Sequence, residues 1–249
     1  MSGWLFDLGN SRLKFAPLRD GRAGPVSAVV HDGHRFADGW EAALPADCTQ
    51  AFVSSVGPAP LLEQLRMRLF ERGAEVERAR TEAACDGVRI AYDEPARLGV
   101  DRFLALLAAH AWHEGHALVV GVGTALTIDL LARDGRHVGG RIAPSPALMR
   151  EALNARSPQL PVDGGAYAEF AGDTGDALAS GCEGAALALV ERSLAEAEST
   201  LAARPTLLVH GGGAPALLPR LPGARHQPAL VLDGLARWAA RPTARIDAC

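Results

Sequence analysis

The chain has 249 residues, a formal net charge of −4, and 48% hydrophobic, 22% charged and 5% aromatic residues. Its length suits one large or two small domains, and its apolar share suffices for a packed core, which excludes intrinsic disorder and collagen-like structure. Twenty-five basic against 29 acidic residues leave no positive excess for a nucleic-acid partner.

Met1 to Phe6 lack the basic start and long apolar stretch of a signal peptide. Trp4 to Asp7 reads as a buried strand, Gly9-Asn10 as a turn, and Ser11 to Leu18 as the returning strand. After an Asp20-Gly21 turn, Val26 to His31 closes a meander. Ala51 to Val56 is a further strand, and Leu61 to Arg72 a helix with Leu61, Leu62, Leu65, Leu69 and Phe70 at helical spacing. Val88 to Tyr92 is a brief strand. Asp101 to His113 is a helix presenting Phe103, Leu104, Leu107, Ala111 and Trp112.

Beyond Gly115 the same order returns. Strands Ala117 to Val122, Leu126 to Ala132 and His137 to Ile142 are joined by turns at Gly123-Thr124 and Asp134-Gly135. Helices follow at Ser145 to Asn154 and Gly175 to Ala203, then a strand, Thr206 to His210, and a last helix, Leu230 to Ala239. The repetition predicts two α/β halves, residues 1–115 and 116–249. The longest mostly apolar run, Ala117 to Ile128, is too short to span a bilayer, so a cytoplasmic protein without a membrane partner is expected. Cys48, Cys85, Cys182 and Cys249 form no CxxC pair, which argues for ordinary reduced thiols rather than a zinc site or disulfide framework.

Of the 25 basic residues 24 are arginine, and the one lysine, Lys14, follows no glycine-rich P-loop. Phosphate chemistry would need another cradle. Asp7-Leu8-Gly9-Asn10-Ser11-Arg12-Leu13-Lys14 puts a costly carboxylate at the end of a buried strand, beside a turn with backbone N–H groups, hydroxyl and ammonium. An ordinary hairpin with a capping aspartate is the simpler reading of that fragment alone. Gly121-Val122-Gly123-Thr124 occupies the same place in the second half, and His210 to Pro215 follows a strand with three glycines. Both also read as plain small-residue turns. Gly99-Val100-Asp101-Arg102 opens a helix, where an aspartate stays ionised and able to accept a proton, and an arginine can grip a carboxylate by paired bonds. A surface charge pair is the alternative. His110, His113 and His116 drift around the helix and make a poor ligand set.

In their order and spacing these pieces resemble the type III pantothenate kinases, the acetate/sugar kinase–heat-shock–actin branch that begins coenzyme A synthesis. The resemblance runs through DLGNSRLK at 7–14, Tyr92, GVDR at 99–102, GTALT at 123–127, GGRIAP at 139–144, DTGDALASGC at 173–182 and HGGGA at 210–214. It implies two ribonuclease-H-like (actin-like ATPase) domains, ATP bound in a cleft between them, and a homodimer. Asp7 to Lys14 become the first phosphate loop and Thr124 the second, with Asp7 holding Mg²⁺ through water. Asp101 becomes the base acting on the pantothenate hydroxyl. Tyr92, Gly99, Val100, Asp101, Arg102 and Thr174 become pantothenate contacts, Thr174 coming from the partner protomer.

Two departures stand out. Where many relatives carry an aspartate that binds a monovalent cation, this chain has Gly121, so dependence on K⁺ or NH₄⁺ is expected to be weak or absent. The nearest substitute acceptors are Thr124 and Asp129. The family's Pro-Gly is Pro144-Ser145 here, at a helix start near the implied dimer interface. A related kinase with another acidic or sugar substrate, or a non-catalytic regulatory protein, are the alternatives. Intact Asp7, Asp101, Arg102 and Thr124 favour the enzyme.

Overall fold

The computed structural model describes residues 2–241; Met1 and Cys249, which entered the sequence reading, lie outside the described residues. The chain forms two compact units, one running to Trp112 and resuming at Ala229, the other His113–Pro228. The division into 1–115 and 116–249 is therefore corrected at the C-terminal end.

The first unit opens with β1 (Gly3–Leu8), β2 (Arg12–Arg19), β3 (Arg22–Ala23) and β4 (Ser27–Val30), followed by α1 (Trp40–Ala43). Then come β5 (Gln50–Ser55), α2 (Ala59–Glu71), β6 (Glu75–Arg78), the short pair β7 (Ala84–Cys85) and β8 (Val88–Arg89), and α3 (Val100–Trp112). Its main sheet has the order β3-β2-β1-β5-β6, with β4 also pairing β2. The β1–β2 pair is antiparallel, while β1–β5 and β5–β6 are parallel. Leu5, Phe6 and Leu8 on β1 and Leu13 and Phe15 on β2 are buried, each such side chain contributing about 1.5–3 kcal/mol.

Helix α2 packs Leu61, Leu62, Leu65 and Leu69 into that core beside the stacked rings of Phe36 and Trp40, 4.2 Å apart. Phe70, expected on the same stripe, is 77% exposed. The apolar sector of α2 is narrower than its sequence suggests. Helix α3 is buried on all sides over Phe103–Ala109, whereas Ala111 and Trp112, expected on its apolar face, are only half-buried.

The second unit repeats the plan with β9 (Ala117–Val122), β10 (Ala125–Leu131), β11 (His137–Pro144), α4 (Pro146–Arg156), α5 (Thr174–Leu201), β12 (Thr206–His210), α6 (Ala214–Leu217) and β13 (Arg225–His226). Its sheet order is β11-β10-β9-β12-β13, antiparallel on one side of β9 and parallel on the other. Both sheets therefore have the expected ribonuclease-H-like order. Every residue of β9 is buried, as suits a central strand. Among the described residues no helix is long and apolar enough to cross a membrane. Cys48, Cys85 and Cys182 are free and buried, and burial pushes all three thiols up, Cys48 to about 11.

The last helix, α7 (Leu230–Ala239), returns to the first unit and packs chiefly on α3. Trp238 Nε1 donates to Glu82 Oε1 at 2.9 Å, and Arg237 grips Asp86 with bonds of 2.8 and 2.9 Å. The helices approach so closely that a β-carbon at Gly234 would overlap the Leu104 backbone. Gly234→Ala should therefore cost about 1–3 kcal/mol, lowering Tm by about 3–10 °C for a chain of this size. Gly172→Ala, where a β-carbon meets nothing within 4 Å, is the control. Equal melting curves for the two variants would refute this account of α3–α7 packing.

Candidate active site

Asp7 lies on β1 just before its turn, opposite Lys14 of β2 on one side and Ser54 of β5 on the other. Directly opposed residues share one sheet face, so carboxylate, ammonium and hydroxyl converge there. Ser54 Oγ donates to Asp7 Oδ1 at 2.8 Å. Burial pushes the Asp7 carboxyl up to about 6; the Ser54 bond opposes this, the charge of Asp101 adds to it, and Lys14 opposes it. The turn closes with Gly9 N donating to Arg12 O at 3.0 Å. Leu8 and Leu13 are buried, while Asn10, Ser11 and Arg12 are exposed. The leucines can thus offer a ligand only backbone.

Asp101 sits in the first turn of α3, which begins as Phe103 N donates to Gly99 O at 3.1 Å. Thr81 Oγ1 donates to Leu98 O at 2.8 Å and fixes the approach to that turn. A β-carbon at Gly99 would stand 2.6 Å from Asp101 Oδ1. Glycine is what lets the carboxylate fold back there. Val100 is buried beside it, and Arg102 is only 6% exposed, with Nη1 donating to Tyr92 Oη at 3.3 Å. Its burial removes the surface charge-pair reading. Tyr92, expected at a strand end, lies in the loop after β8. The first unit thus assembles Asp7, Lys14 and Asp101 around one carboxylate neighbourhood, and Tyr92 with Arg102.

Thr124 and Thr174 belong to the second unit. Thr124 stands in the turn between β9 and β10, closed by Gly123 N donating to Ala125 O at 2.9 Å. Gly121, in register with Thr127 on one side and His210 on the other, is crowded by both. A β-carbon there would meet Thr127 Oγ1 at 2.6 Å and His210 Nε2 at 3.0 Å. Asp129, considered above as a substitute acceptor, is instead buried with His137, whose Nε2 lies 3.0 Å from Asp129 Oδ1. That corrects its candidacy. The glycines after His210 serve a backbone approach: Gly211 has φ +96°, and Gly213 N donates to Val122 O at 2.9 Å.

Thr174 is the first residue of α5, capped by Asp173, whose carboxylate accepts from Gly175 N and Asp176 N. Ser145 caps α4 by accepting from Leu148 N at 3.2 Å, so serine preserves that helix start. Of the three histidines set aside above, His110 lies against Gly87 and His116 Nδ1 accepts from Arg133 N. Among the described residues no three His, Cys, Asp or Glu side chains are grouped to hold a metal ion.

Two contributors escaped the sequence reading. Ser54 supports Asp7; its signal was a polar residue inside an apolar strand. His31 contacts the first turn across the sheet and carries no local motif. His210, singled out at the head of its glycine run, stands beside Gly121 rather than only opening a loop.

The family model described as type III pantothenate kinase matches residues 4–196. A type III pantothenate kinase of Stenotrophomonas maltophilia (strain K279a) is 60% identical over 239 residues, covering 96% of this chain and 98% of that protein. One of Xanthomonas campestris pv. campestris (strain 8004) is 58% identical over 244 residues, covering 98% and 100%. Among solved structures, a conserved Baf family protein from Campylobacter jejuni aligns with TM-score 0.60 and 22% identity over 93% of this chain and 94% of its own, a likeness of fold. With its match running from β1 into α5 and its relatives aligned over nearly the whole length, the chain belongs to the type III pantothenate kinase family.

Proposed function

We infer that this chain phosphorylates pantothenate with ATP, giving 4'-phosphopantothenate, the first step of coenzyme A biosynthesis. The observation that carries the reading is the pairing of a partly desolvated Asp7 at a phosphate-type turn with Asp101 at the start of α3, in a chain whose relatives bear that name over nearly its whole length. Phosphoryl transfer needs positioning and charge neutralisation more than covalent chemistry from the protein. Asp101 accepts the proton of the substrate hydroxyl. The buried Arg102, with Tyr92 beside it, binds the substrate carboxylate by paired bonds, while Gly99 and Val100 shape the approach. Backbone of Asp7–Lys14 and the Thr124 turn contact the nucleotide phosphates.

The residues fit a divalent cation. Two neighbouring carboxylates, one with its acid form favoured by burial and by the charge of the other, would both be relieved by a bound cation. Asp7 would hold hydrated Mg²⁺, which when bound neutralises phosphate charge. The reaction belongs to the cytoplasm, where ATP is plentiful.

A homodimer is part of the same proposal, with Thr174 reaching the partner protomer's substrate. It is supported by an apolar groove of about 640 Å³ lined by Leu148, Met149, Leu153, Leu178 and Cys182. Leu153 and Ile142 are 44% and 66% exposed. A second copy is the occupant this face fits, because it adjoins the start of α5 that carries Thr174.

The direct test is ADP release with pantothenate against a panel of sugars and acetate. Pantothenate should be the preferred acceptor, and Asp101→Asn should fold, bind ATP and lose turnover by about 10² or more. Wild-type turnover in that variant would remove Asp101 as base.

A second test uses the carboxyl of Asp7. Its folded value of about 6 lies above the ordinary 3.8, so folding takes up a proton between those values and stability declines as pH rises through that window. Asp7→Asn should therefore melt higher than wild type at pH 8, with the difference closing below pH 4. Millimolar Mg²⁺ should raise the wild-type Tm at pH 8 and leave the variant's unchanged. Equal Mg²⁺ responses would place the cation elsewhere.

The crowding of Gly121 by Thr127 and His210 supports turnover that needs neither K⁺ nor NH₄⁺. The measurement replaces K⁺ by a bulky organic cation at constant ionic strength, which keeps screening fixed. A steep loss that millimolar K⁺ restores would overturn this reading.

A further inference from the structure

His31, immediately after β4, is nine-tenths buried, and both its ring nitrogens are committed. Gly33 N, which can only donate, lies 3.1 Å from Nδ1. Gly9 O, which can only accept, lies 3.0 Å from Nε2. The two bonds together require the neutral ring with its proton on Nε2. The backbone of the same residue reaches the turn a second time, His31 N donating to Ser11 O at 3.2 Å. The ring of Phe36 stands edge-on at 5.8 Å and holds the imidazole in place.

On its other side the Gly9 carbonyl faces Gly57, where a β-carbon would overlap that oxygen. Gly57 N and Val56 N both donate to Leu8 O, at 3.0 and 3.1 Å. The turn is therefore held from two directions: the Leu8 carbonyl by two amides after β5, and the Gly9 carbonyl, closely approached by Gly57, by the His31 ring just after β4. A peptide plane fixed at its carbonyl also fixes the N–H of the next residue, Asn10, at the tip of the turn. Preorganised backbone donors bind phosphate oxygens without reordering cost at the moment of binding.

We propose that His31 is a positioning residue for the nucleotide: its Nε2–H, bonded to the Gly9 carbonyl, sets the orientation of the Asn10 amide toward a phosphate group. This rests on Asp7–Lys14 being a phosphate loop. Two substitutions separate the bonds. In His31→Asn the side-chain oxygen sits near the former Nδ1 and keeps the Gly33 bond, but nothing reaches Gly9. In His31→Gln the amide nitrogen takes the place of Nε2 and keeps the Gly9 bond.

Calorimetric Kd for Mg-ADP and steady-state KM values for ATP and pantothenate are measured on all three proteins. His31→Asn should weaken Mg-ADP binding and raise the ATP KM about five- to tenfold, the range expected for one neutral hydrogen bond. Its pantothenate KM should stay within about twofold, and His31→Gln should restore nucleotide binding to within about twofold. A purely structural histidine predicts fewer active molecules with unchanged constants. An unchanged Kd in His31→Asn, or loss in His31→Gln alone, overturns the proposal while leaving the kinase reading intact. If wild type binds Mg-ADP but fails to phosphorylate pantothenate, the substrate reading fails and the role of His31 stands on the Kd comparison. Absence of Mg-ADP binding in the wild type overturns both. Should the variants not fold, nitrogen-15 NMR of the wild-type imidazole decides: the Nε2-protonated form should be present and shift on adding Mg-ADP, and a missing shift refutes the proposal.

Discussion

A carboxylate at the end of a buried strand is costly in its charged form, and the first unit is organised around that cost at Asp7. The strand beside it supplies a hydroxyl, the strand on the other side an ammonium, and the start of α3 a second carboxylate. Two of these neighbours favour the anion, and one disfavours it. The net result is a group near neutrality's edge rather than a settled ion pair. A side chain kept in that condition by the fold is suited to meeting positive charge that arrives with a ligand. The sheet order makes it possible, since only a central strand has partners on both sides.

The same constraint explains where glycine is required. Asp101 folds back only because position 99 lacks a β-carbon, and the Gly9 carbonyl is approached by Gly57 for the same reason. In both cases the glycine makes room for a polar atom of the site rather than for a turn. Gly234 works differently. It lets α7 lie against α3, so that a segment from the far end of the sequence packs on the helix bearing Asp101 and Arg102. Stability of that helix and placement of those two side chains are then the same packing problem.

The sequence made most of this fold legible through periodicity. Ala117–Val122, Thr206–His210 and Leu230–Ala239 coincide with their elements, because the first two are mainly apolar runs closed by glycine and the third carries apolar residues at helical spacing. What escaped was long-range by nature. The return of α7 to the first unit depends on a close approach between residues 104 and 234, and no local pattern reports that. Phe70 looked like core because α2 could have buried a wider stripe. Asp129 looked available because its partner His137 lies on the next strand. Asp7, Asp101 and Arg102 were visible as residues, and the hairpin placed Lys14 by Asp7, but only the register of β1 with β5 brings Ser54 there, and only the fold brings Asp101.

The two units share a strand order but not the chemistry of their equivalent hairpins. In the first, a carboxylate precedes the turn and is supported by hydroxyl and ammonium. In the second, Gly121 precedes the turn, and the cross-strand neighbours at the corresponding register, Thr127 and His210, lean into the space that a side chain would take. Position 121 is thus not an open vacancy. A carboxylate placed at this position would have to displace a threonine hydroxyl and an imidazole ring, both already oriented across the sheet, and changing residue 121 alone leaves those neighbours where they are. The space at position 121 is set by three strands together, which is why one residue in a linear sequence could flag the departure without describing its surroundings.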